Sequence, residues 1–215
     1  MKDRTTQLCS RFFEEHPDLL FMKARLYETG KAWVKTYQSG GKILICGNGG
    51  SCADGDHIVG ELMKGFLLKR PLPPDVKIQF AKDYGEKGVF MAEQLQCGLP
   101  AISLNAHAAL ISAFCNDVDP ELVYAQQVMG YARKEDMVVA ISTSGNAENV
   151  AYALMTAKTM GVKTMALTGR DGGKITKMAD YSLIVPQLET YRIQEVHMAI
   201  YHFLCAFTES EIFFE

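Results

Sequence analysis

The chain has 215 residues, of which 48% are hydrophobic and 22% charged, and its formal net charge is −3. These values are typical of a globular protein with one large domain, and without a long basic stripe they argue against a nucleic-acid partner. No stretch approaches the ~20 apolar residues of a membrane span, no apolar run of signal-peptide length opens the chain, and the six cysteines form no CxxC pair, so a cytoplasmic protein with no membrane partner is expected.

The first predicted elements are helical. Apolar residues recur at helical spacing over residues 18–38 and stop at Gly40-Gly41, so residues 1–40 are predicted as an N-terminal helical segment. The apolar run over residues 42–46 predicts a strand. It is followed directly by the glycine-rich sequence GNGGS and by a predicted helix over residues 52–66, which together form a first βα unit.

Residues 64–100 do not continue this pattern. They contain several helix-breaking or turn-forming residues, namely Pro71, Pro73, Pro74, Gly85, Gly88 and Gly98. We therefore predict a loop-rich insertion, which in a compact domain is often functional and could also be a lid or an oligomer contact.

The second half of the chain returns to alternation. Strands are predicted over residues 101–104, 136–142, 162–168 and 181–185, with helices between them and a closing helix over residues 190–210. Short strands that alternate with helices predict a parallel sheet covered on both faces, as a single α/β domain over residues 1–215.

Three predicted strands end in polar, glycine-rich loops: GNGGS at residues 47–51, STSGN at 142–146 and TGRDGG at 168–173. In an open parallel sheet, ligands bind beyond the carboxyl ends of the strands, and hydroxyls and amides at a helix start can hold an anion. STSGN lacks the lysine of a P-loop and GNGGS lacks GxGxxG spacing. The loops could be simple tight turns, but two that carry serine or threonine favour an anion site.

Four motifs in order make the pattern more specific: CGNGGSxxDxxHxxxE, ISTSGNxxN, ALTGxDGG and RIQExHxxxxH. Together they resemble the phosphoheptose isomerases of the SIS (sugar isomerase) superfamily, from Gly41 to His202. The resemblance implies a three-layer αβα sandwich with a flavodoxin-like parallel sheet and extra N-terminal helices. It also implies an enzyme that interconverts sedoheptulose 7-phosphate and a heptose 7-phosphate, forms homotetramers and, in some members, carries zinc.

The resemblance implies a role for particular residues. The phosphate would be held by Ser142, Thr143 and Ser144. The sugar site would be lined by Asn48, Gly49, Gly50, Ser51, Asn116 and Asp117, with Gln194 as a further substrate contact. Proton transfer would fall to Glu61 and His202, and zinc would be bound by His57, Glu61, Gln194 and His202.

The chain also departs from that family. Ala147 stands where the family usually has a second serine, and Tyr191 stands where it tends to have an acidic residue. The stretch between Glu61 and Asn116 is much longer than in ordinary phosphoheptose isomerases.

Helix geometry limits how the implied ligands can meet. His57 and Glu61 are separated by about 40° and about 6 Å of rise, so both can face one point. Gln194 and His202 are separated by about 80° and about 12 Å, which is far for two ligands of one ion on a straight helix. Either His197 is the ligand, or the helix is interrupted, or His202 reaches a neighbouring subunit's site. The resemblance favours the third route, with active sites at subunit interfaces.

Two functions fit these motifs. One is an aldose–ketose isomerase that works through an enediol. The other is a non-catalytic SIS module, either a phosphosugar sensor or a regulator of the type that associates with the bacterial replication initiator. A binding module needs the phosphate loops but has no use for a base and an acid, so the presence of Glu61 and His202 favours the isomerase.

Overall fold

The computed structural model describes residues 1–213. Its centre is a parallel sheet of five strands in the order β2-β1-β3-β4-β5, which is the flavodoxin-like order and confirms the predicted fold class. The strands are β1 Ile43–Gly47, β2 Ala101–Ser103, β3 Met137–Ser142, β4 Lys163–Gly169 and β5 Tyr181–Val185.

Helices cover both faces of the sheet. In chain order they are α1 Asp3–Glu15, α2 Lys23–Gln38, α3 Gly50–Met63, α4 Pro74–Gln94, α5 Ala108–Asp117, α6 Val123–Tyr131, α7 Glu148–Thr159 and α8 Thr190–Phe213. Short 3-10 helices lie at Pro17–Met22, Pro120–Leu122 and Ile175–Lys177. None of the helices within residues 1–213 is both long enough and apolar enough to cross a membrane.

Alternating side chains of the strands divide the core into two layers. Ile43 and Ile45 of β1 pack with α1, α2, α3 and α8, whereas Leu44 and Cys46 pack with α6 and α7. All four side chains are fully buried, as expected for a central strand whose successive residues point to opposite faces. The arrangement places α3 and α8 side by side on one face of the sheet.

The prediction of a loop-rich segment over residues 64–100 is wrong for its central part, because α4 occupies residues 74–94. Pro74 lies in the first turn of this helix, where its missing amide hydrogen costs nothing. Gly85 has φ +56° and interrupts the helix. An added Cβ at Gly88 would lie 1.8 Å from the carbonyl oxygen of Phe80, so the two halves of α4 fold back on each other. Proline and glycine mark the start and the bend of a helical hairpin.

The hairpin is closed at its base and exposed along its length. Pro71 and Gln96 form an antiparallel bridge, and the amide of Cys97 donates to the carbonyl of Arg70 at 2.7 Å. Large apolar side chains on α4 face outward, among them Ile78, Tyr84, Val89, Phe90 and Met91, which are 41–68% exposed.

A buried ion pair joins the start of this segment to α8. The Arg70 guanidinium donates to Glu209 at 2.7 Å, and both residues are 1% exposed. Arg70 also donates to the carbonyls of Leu62 (2.6 Å) and Glu61 (3.3 Å), which are left free at the end of α3. Glu209 in turn accepts from three successive backbone amides, those of Phe66, Leu67 and Leu68, at 2.8–3.1 Å.

Candidate active site

The loops after β1 and β3 lie side by side, because these two strands are neighbours in the sheet. The strand order reverses between them, which is where doubly wound folds bind ligands. Two amides connect the loops: Asn48 donates to Asn149 at 2.9 Å, and Asn149 donates back to Asn48 at 3.0 Å. The two predicted binding loops thus form one structural unit.

The loop after β3 has the geometry of an anion cradle. Ser142 ends the strand and is 7% exposed, whereas Thr143 and Ser144 are half-buried. Gly145 has φ +66°, and an added Cβ there would lie 2.0 Å from a backbone oxygen of the third loop, so only glycine fits. Because α7 begins three residues later at Glu148, the two hydroxyls lie just before a helix N-terminus, which favours an anion.

The loop after β1 is shaped by close backbone contacts. Gly49 has φ +57°, and α3 starts at Gly50. An added Cβ at Gly50 would lie 2.1 Å from the side-chain nitrogen of Gln194, so this amide rests directly against the loop. Ser51 is 3% exposed. Asn48, Gly49 and Gly50 therefore border the same crevice as Gln194, which is compatible with the expected sugar contacts.

Three titratable side chains converge where α3 and α8 pack together. Nε2 of His57 lies 3.2 Å from Oε1 of Glu61 and 3.4 Å from Nε2 of His202. One potential ligand atom from each residue falls within a cluster whose atoms are all within 4.8 Å of one another. His57 is exposed, and Glu61 and His202 are half-buried, so the cluster is accessible from solvent.

The electrostatics of this cluster suit both proton transfer and a cation. Burial lowers the pKa of His202, the nearby charge of His57 lowers it further, and Glu61 opposes both effects. Neutral imidazole nitrogens are good metal ligands, and two of them face each other here beside a carboxylate. The residues therefore fit a zinc ion by the chemistry of their donor atoms.

The structure shows how His202 reaches the cluster. Helix α8 runs from Thr190 to Phe213, and His202 lies beside His57 and Glu61 of the same chain, so it needs no neighbouring subunit to reach them. An active site at a subunit interface stays a prediction. His197 is fully buried and lies outside the cluster.

Gln194 takes a different place from the other predicted ligands. Its amide contacts Gly50 at the start of α3, whereas His57 and Glu61 lie two and three turns further along that helix. This position fits its expected role as a substrate contact, and a role as metal ligand stays a prediction.

Four other residues singled out in the sequence lie outside the cluster of His57, Glu61 and His202. Asn116 and Asp117 end α5 with exposed side chains, and Asn116 donates to Asp117 at 2.8 Å. Tyr191 is 57% exposed and has the guanidinium of Arg192 over its ring. Ala147 occupies the N-cap of α7, which has no side-chain hydrogen bond there.

Sequence reasoning missed the residues that support the site. Tyr201 lies 3.0 Å from Nδ1 of His57, and the hydroxyl of Tyr124 lies within 3.0 Å of oxygens of both Gly47 and Asn48. Asp54 and Asn149 were already present in the motifs GNGGSxxD and STSGNxxN, so those motifs carried a signal for them. Tyr201 occupies an unspecified position of RIQExHxxxxH and Tyr124 lies outside every motif, so neither carried one.

A cavity of about 600 Å³ opens beside His202, between α1, α8 and the segment after α3. Its walls combine aromatic side chains with two arginines, including Phe12, Phe66, Phe203, Arg4 and Arg11. His202 is the member of the cluster that lines this cavity, whereas residues 48–51 and 142–144 lie outside its walls.

Comparison with known proteins gives consistent results. The sequence profile described as "SIS domain" matches residues 101–207. The chain is 41% identical over 172 residues to a phosphoheptose isomerase of Helicobacter pylori, covering 80% of this chain and 76% of the relative. It is 37% identical over 191 residues to a phosphoheptose isomerase of Aliarcobacter butzleri, covering 89% and 87%.

Solved structures give the same picture. A phosphoheptose isomerase from Neisseria gonorrhoeae superposes with a TM-score of 0.72 at 30% identity, covering 94% of this chain and 93% of that one. A phosphoheptose isomerase from Francisella tularensis superposes with a TM-score of 0.73 at 28% identity, covering 98% and 100%.

Proposed function

The chain belongs to the phosphoheptose isomerases, sugar-phosphate isomerases of the SIS-domain family, and we propose that it interconverts sedoheptulose 7-phosphate and a heptose 7-phosphate. The observation that carries this proposal is the pairing of a carboxylate and an imidazole, Glu61 and His202, in one accessible cluster. The names of the relatives favour this reading over a non-catalytic phosphosugar sensor or regulator.

The chemistry needs two proton movements. A base removes a proton from C1 of the ketose while an acid protonates the oxygen on C2, which gives an enediol. Return of a proton to C2, with loss of the proton from the C1 hydroxyl, completes the aldose. We assign the base and the acid to Glu61 and His202. The lowered pKa of His202 favours its neutral imidazole, which has one N–H to donate and one electron pair to accept a proton.

The phosphate provides orientation. We assign it to Ser142, Thr143 and Ser144, whose loop leads into the N-terminus of α7. The amide pair Asn48–Asn149 joins this loop to the sugar-binding loop, so a phosphate held after β3 fixes where the sugar lies after β1.

We propose zinc as the metal of the cluster. His57, Glu61 and His202 would hold it, with Gln194 as the fourth ligand that the resemblance implies. Bound there, zinc would polarise the carbonyl and hydroxyl oxygens of the substrate.

We also propose that the protein works in the cytoplasm as a homotetramer with its active sites at subunit interfaces. Two features support the assembly. The hairpin α4 exposes large apolar side chains such as Ile78 and Phe90, and the cavity beside His202 has aromatic walls. Light scattering should give a mass of four chains, and a mass of one chain would contradict the proposal.

The activity is tested by following aldose formation from sedoheptulose 7-phosphate. Glu61→Gln and His202→Asn should each lower kcat by about 100-fold or more, the usual contribution of a general acid or base. Glu195→Gln is the matched control, because Glu195 is an exposed carboxylate on the same helix as His202, and it should retain full activity. If both catalytic variants kept full activity, the assignment would be refuted.

A further inference from the structure

The third glycine-rich loop, TGRDGG, lies directly against the loop after β3, which is the proposed phosphate site. An added Cβ at Gly173 would lie 2.5 Å from the carbonyl oxygen of Ser144. The amide of Ile175 donates to the carbonyl of Gly145 at 3.1 Å. The residues that follow TGRDGG are therefore placed at the edge of the proposed phosphate site.

Lys174 is the first residue after this loop. Its backbone amide donates to Oδ1 of Asn146 at 3.1 Å, and Asn146 donates through Nδ2 to the carbonyl of Ser144 at 3.0 Å. The ammonium group of Lys174 pairs with the carboxylate of Glu148, the first residue of α7. The main chain and the side chain of Lys174 thus both contact the segment that joins STSGN to α7.

The negative charge of Glu148 opposes an anionic ligand at this place. A phosphate monoester carries about −1.5 to −2 charges near pH 7, and a carboxylate at the start of α7 repels it. The loop STSGN contributes hydroxyls and amides but no cation. The ion pair with Lys174 offsets the charge of Glu148 and brings a cation to the edge of the loop.

Arg170, the basic residue within TGRDGG, is engaged elsewhere. Its guanidinium donates to the carbonyl of Leu188 at 3.1 Å, and its amide donates to that of Gln187 at 3.0 Å. Both partners lie in the connection between β5 and α8. Of the two basic residues in this region, Lys174 is therefore the one directed at the loop after β3.

We propose that Lys174 is a specificity-determining residue for the phosphate group, which neutralises Glu148 and offers its ammonium group to the phosphate oxygens. The inference rests on the proposed phosphate site at Ser142, Thr143 and Ser144. Lysine binds phosphate as a point charge on a flexible stem, so Nζ can turn from Glu148 toward a bound phosphate while the loop stays in place. The side chain of Lys174 is 30% exposed, which leaves room for this movement.

The test measures the affinities of inorganic phosphate and of sedoheptulose 7-phosphate by isothermal titration. Lys174→Gln should weaken both ligands about 10-fold or more, the usual effect of losing a hydrogen bond between charged groups. Glu148→Gln should strengthen both about 2- to 5-fold, because it removes a negative charge beside the site and leaves the ammonium group to the phosphate. Lys177→Gln is the matched control, an exposed lysine three residues further on, and its affinities should equal those of the wild type.

The opposite signs separate ligand binding from a structural role. If the ion pair only braced the loop, Lys174→Gln and Glu148→Gln would break it equally and weaken binding alike, and that result would overturn the inference. Unchanged affinity in Lys174→Gln would overturn it as well.

Inorganic phosphate keeps the test independent of the sugar. If the wild type binds phosphate but does not act on sedoheptulose 7-phosphate, the proposed substrate is wrong, and the two signs still decide the role of Lys174. If the wild type binds neither ligand, the phosphate site is wrong and the role of Lys174 is refuted with it.

Discussion

At the scale of single residues, Ser144 offers the most direct test of the phosphate loop. Its hydroxyl is half-buried beside the start of α7 and accepts from the amide of Asn146 at 3.2 Å. Ser144→Ala should weaken sugar-phosphate binding by about 1–3 kcal/mol, the usual value of a hydrogen bond to a charged group. Isothermal titration with sedoheptulose 7-phosphate measures this change, and unchanged affinity would remove Ser144 from the phosphate site.

Ala147 gives a prediction of the opposite sign. It occupies the N-cap of α7 without a side-chain hydrogen bond, in an extended conformation that suits a capping serine. Ala147→Ser should raise the free energy of unfolding by about 1 kcal/mol, with phosphate affinity equal or higher. Urea denaturation and the same titration measure both quantities. A large drop in affinity would mean that the loop differs from that of other phosphoheptose isomerases.

The buried His197 should make stability depend on pH. Burial lowers its pKa from 6.5 to about 4, and the nearby backbone of Thr168 opposes this shift without reaching hydrogen-bond geometry with either ring nitrogen. Between these values the unfolded chain takes up a proton that the folded protein does not, so stability falls as pH falls from 6.5 to 4. The loss should reach about 3 kcal/mol.

His197→Leu removes this titration, so its unfolding free energy should fall less steeply over the same pH range. Parallel profiles for the two proteins would show that His197 does not contribute.

The sequence predicted the residues of the His57–Glu61–His202 cluster better than the residues that hydrogen-bond to the site. His57 and Glu61 could be paired in advance because four residues on a helix return to one face. The meeting of His202 with them was implied only by the family resemblance, because spacing along the chain does not show how α8 crosses α3. Tyr201 and Tyr124 contact the site through single hydroxyls whose partners lie on other elements. No pattern of neighbouring residues in the sequence predicts such contacts.

At the scale of elements, the ion pair Arg70–Glu209 holds the end of α3 against α8. Glu209→Gln leaves a buried guanidinium without its charge partner and should destabilise the fold by about 3–5 kcal/mol in urea denaturation. Glu15→Gln, which breaks an exposed ion pair on α1, is the control and should have no measurable effect. If Glu209→Gln and Glu15→Gln had similarly small effects on stability, the buried ion pair would not stabilise the fold.

The alternation of strands and helices was predictable because the spacing of apolar residues and the positions of turn-forming residues indicate the same elements along most of the chain. The five strands and their flanking helices follow this pattern within a few residues. Residues 64–100 misled because proline and glycine were taken as loop formers, whereas Pro74 starts α4 and Gly85 bends it. The same residue types serve both purposes, and only the backbone angles separate them.

At the scale of the whole molecule, α4 adds no strand to the sheet and only Gly88 and Ala92 to the buried residues. Replacing residues 74–94 by a short Gly-Ser linker should preserve cooperative thermal unfolding and zinc affinity, because the base of the hairpin is already closed by the bridge between Pro71 and Gln96. Calorimetry and chelator competition measure these quantities. Loss of a cooperative transition would mean that the hairpin is part of the folding unit.

The closed base of the hairpin also bears on ancestry. Where the two ends of a chain segment meet, a gene can gain or lose that segment in one event without redirecting the chain on either side. The catalytic residues and the helical hairpin α4 can then evolve separately. Related enzymes with the same acid and base can then differ in the surface around the catalytic centre, and so in the proteins that bind there.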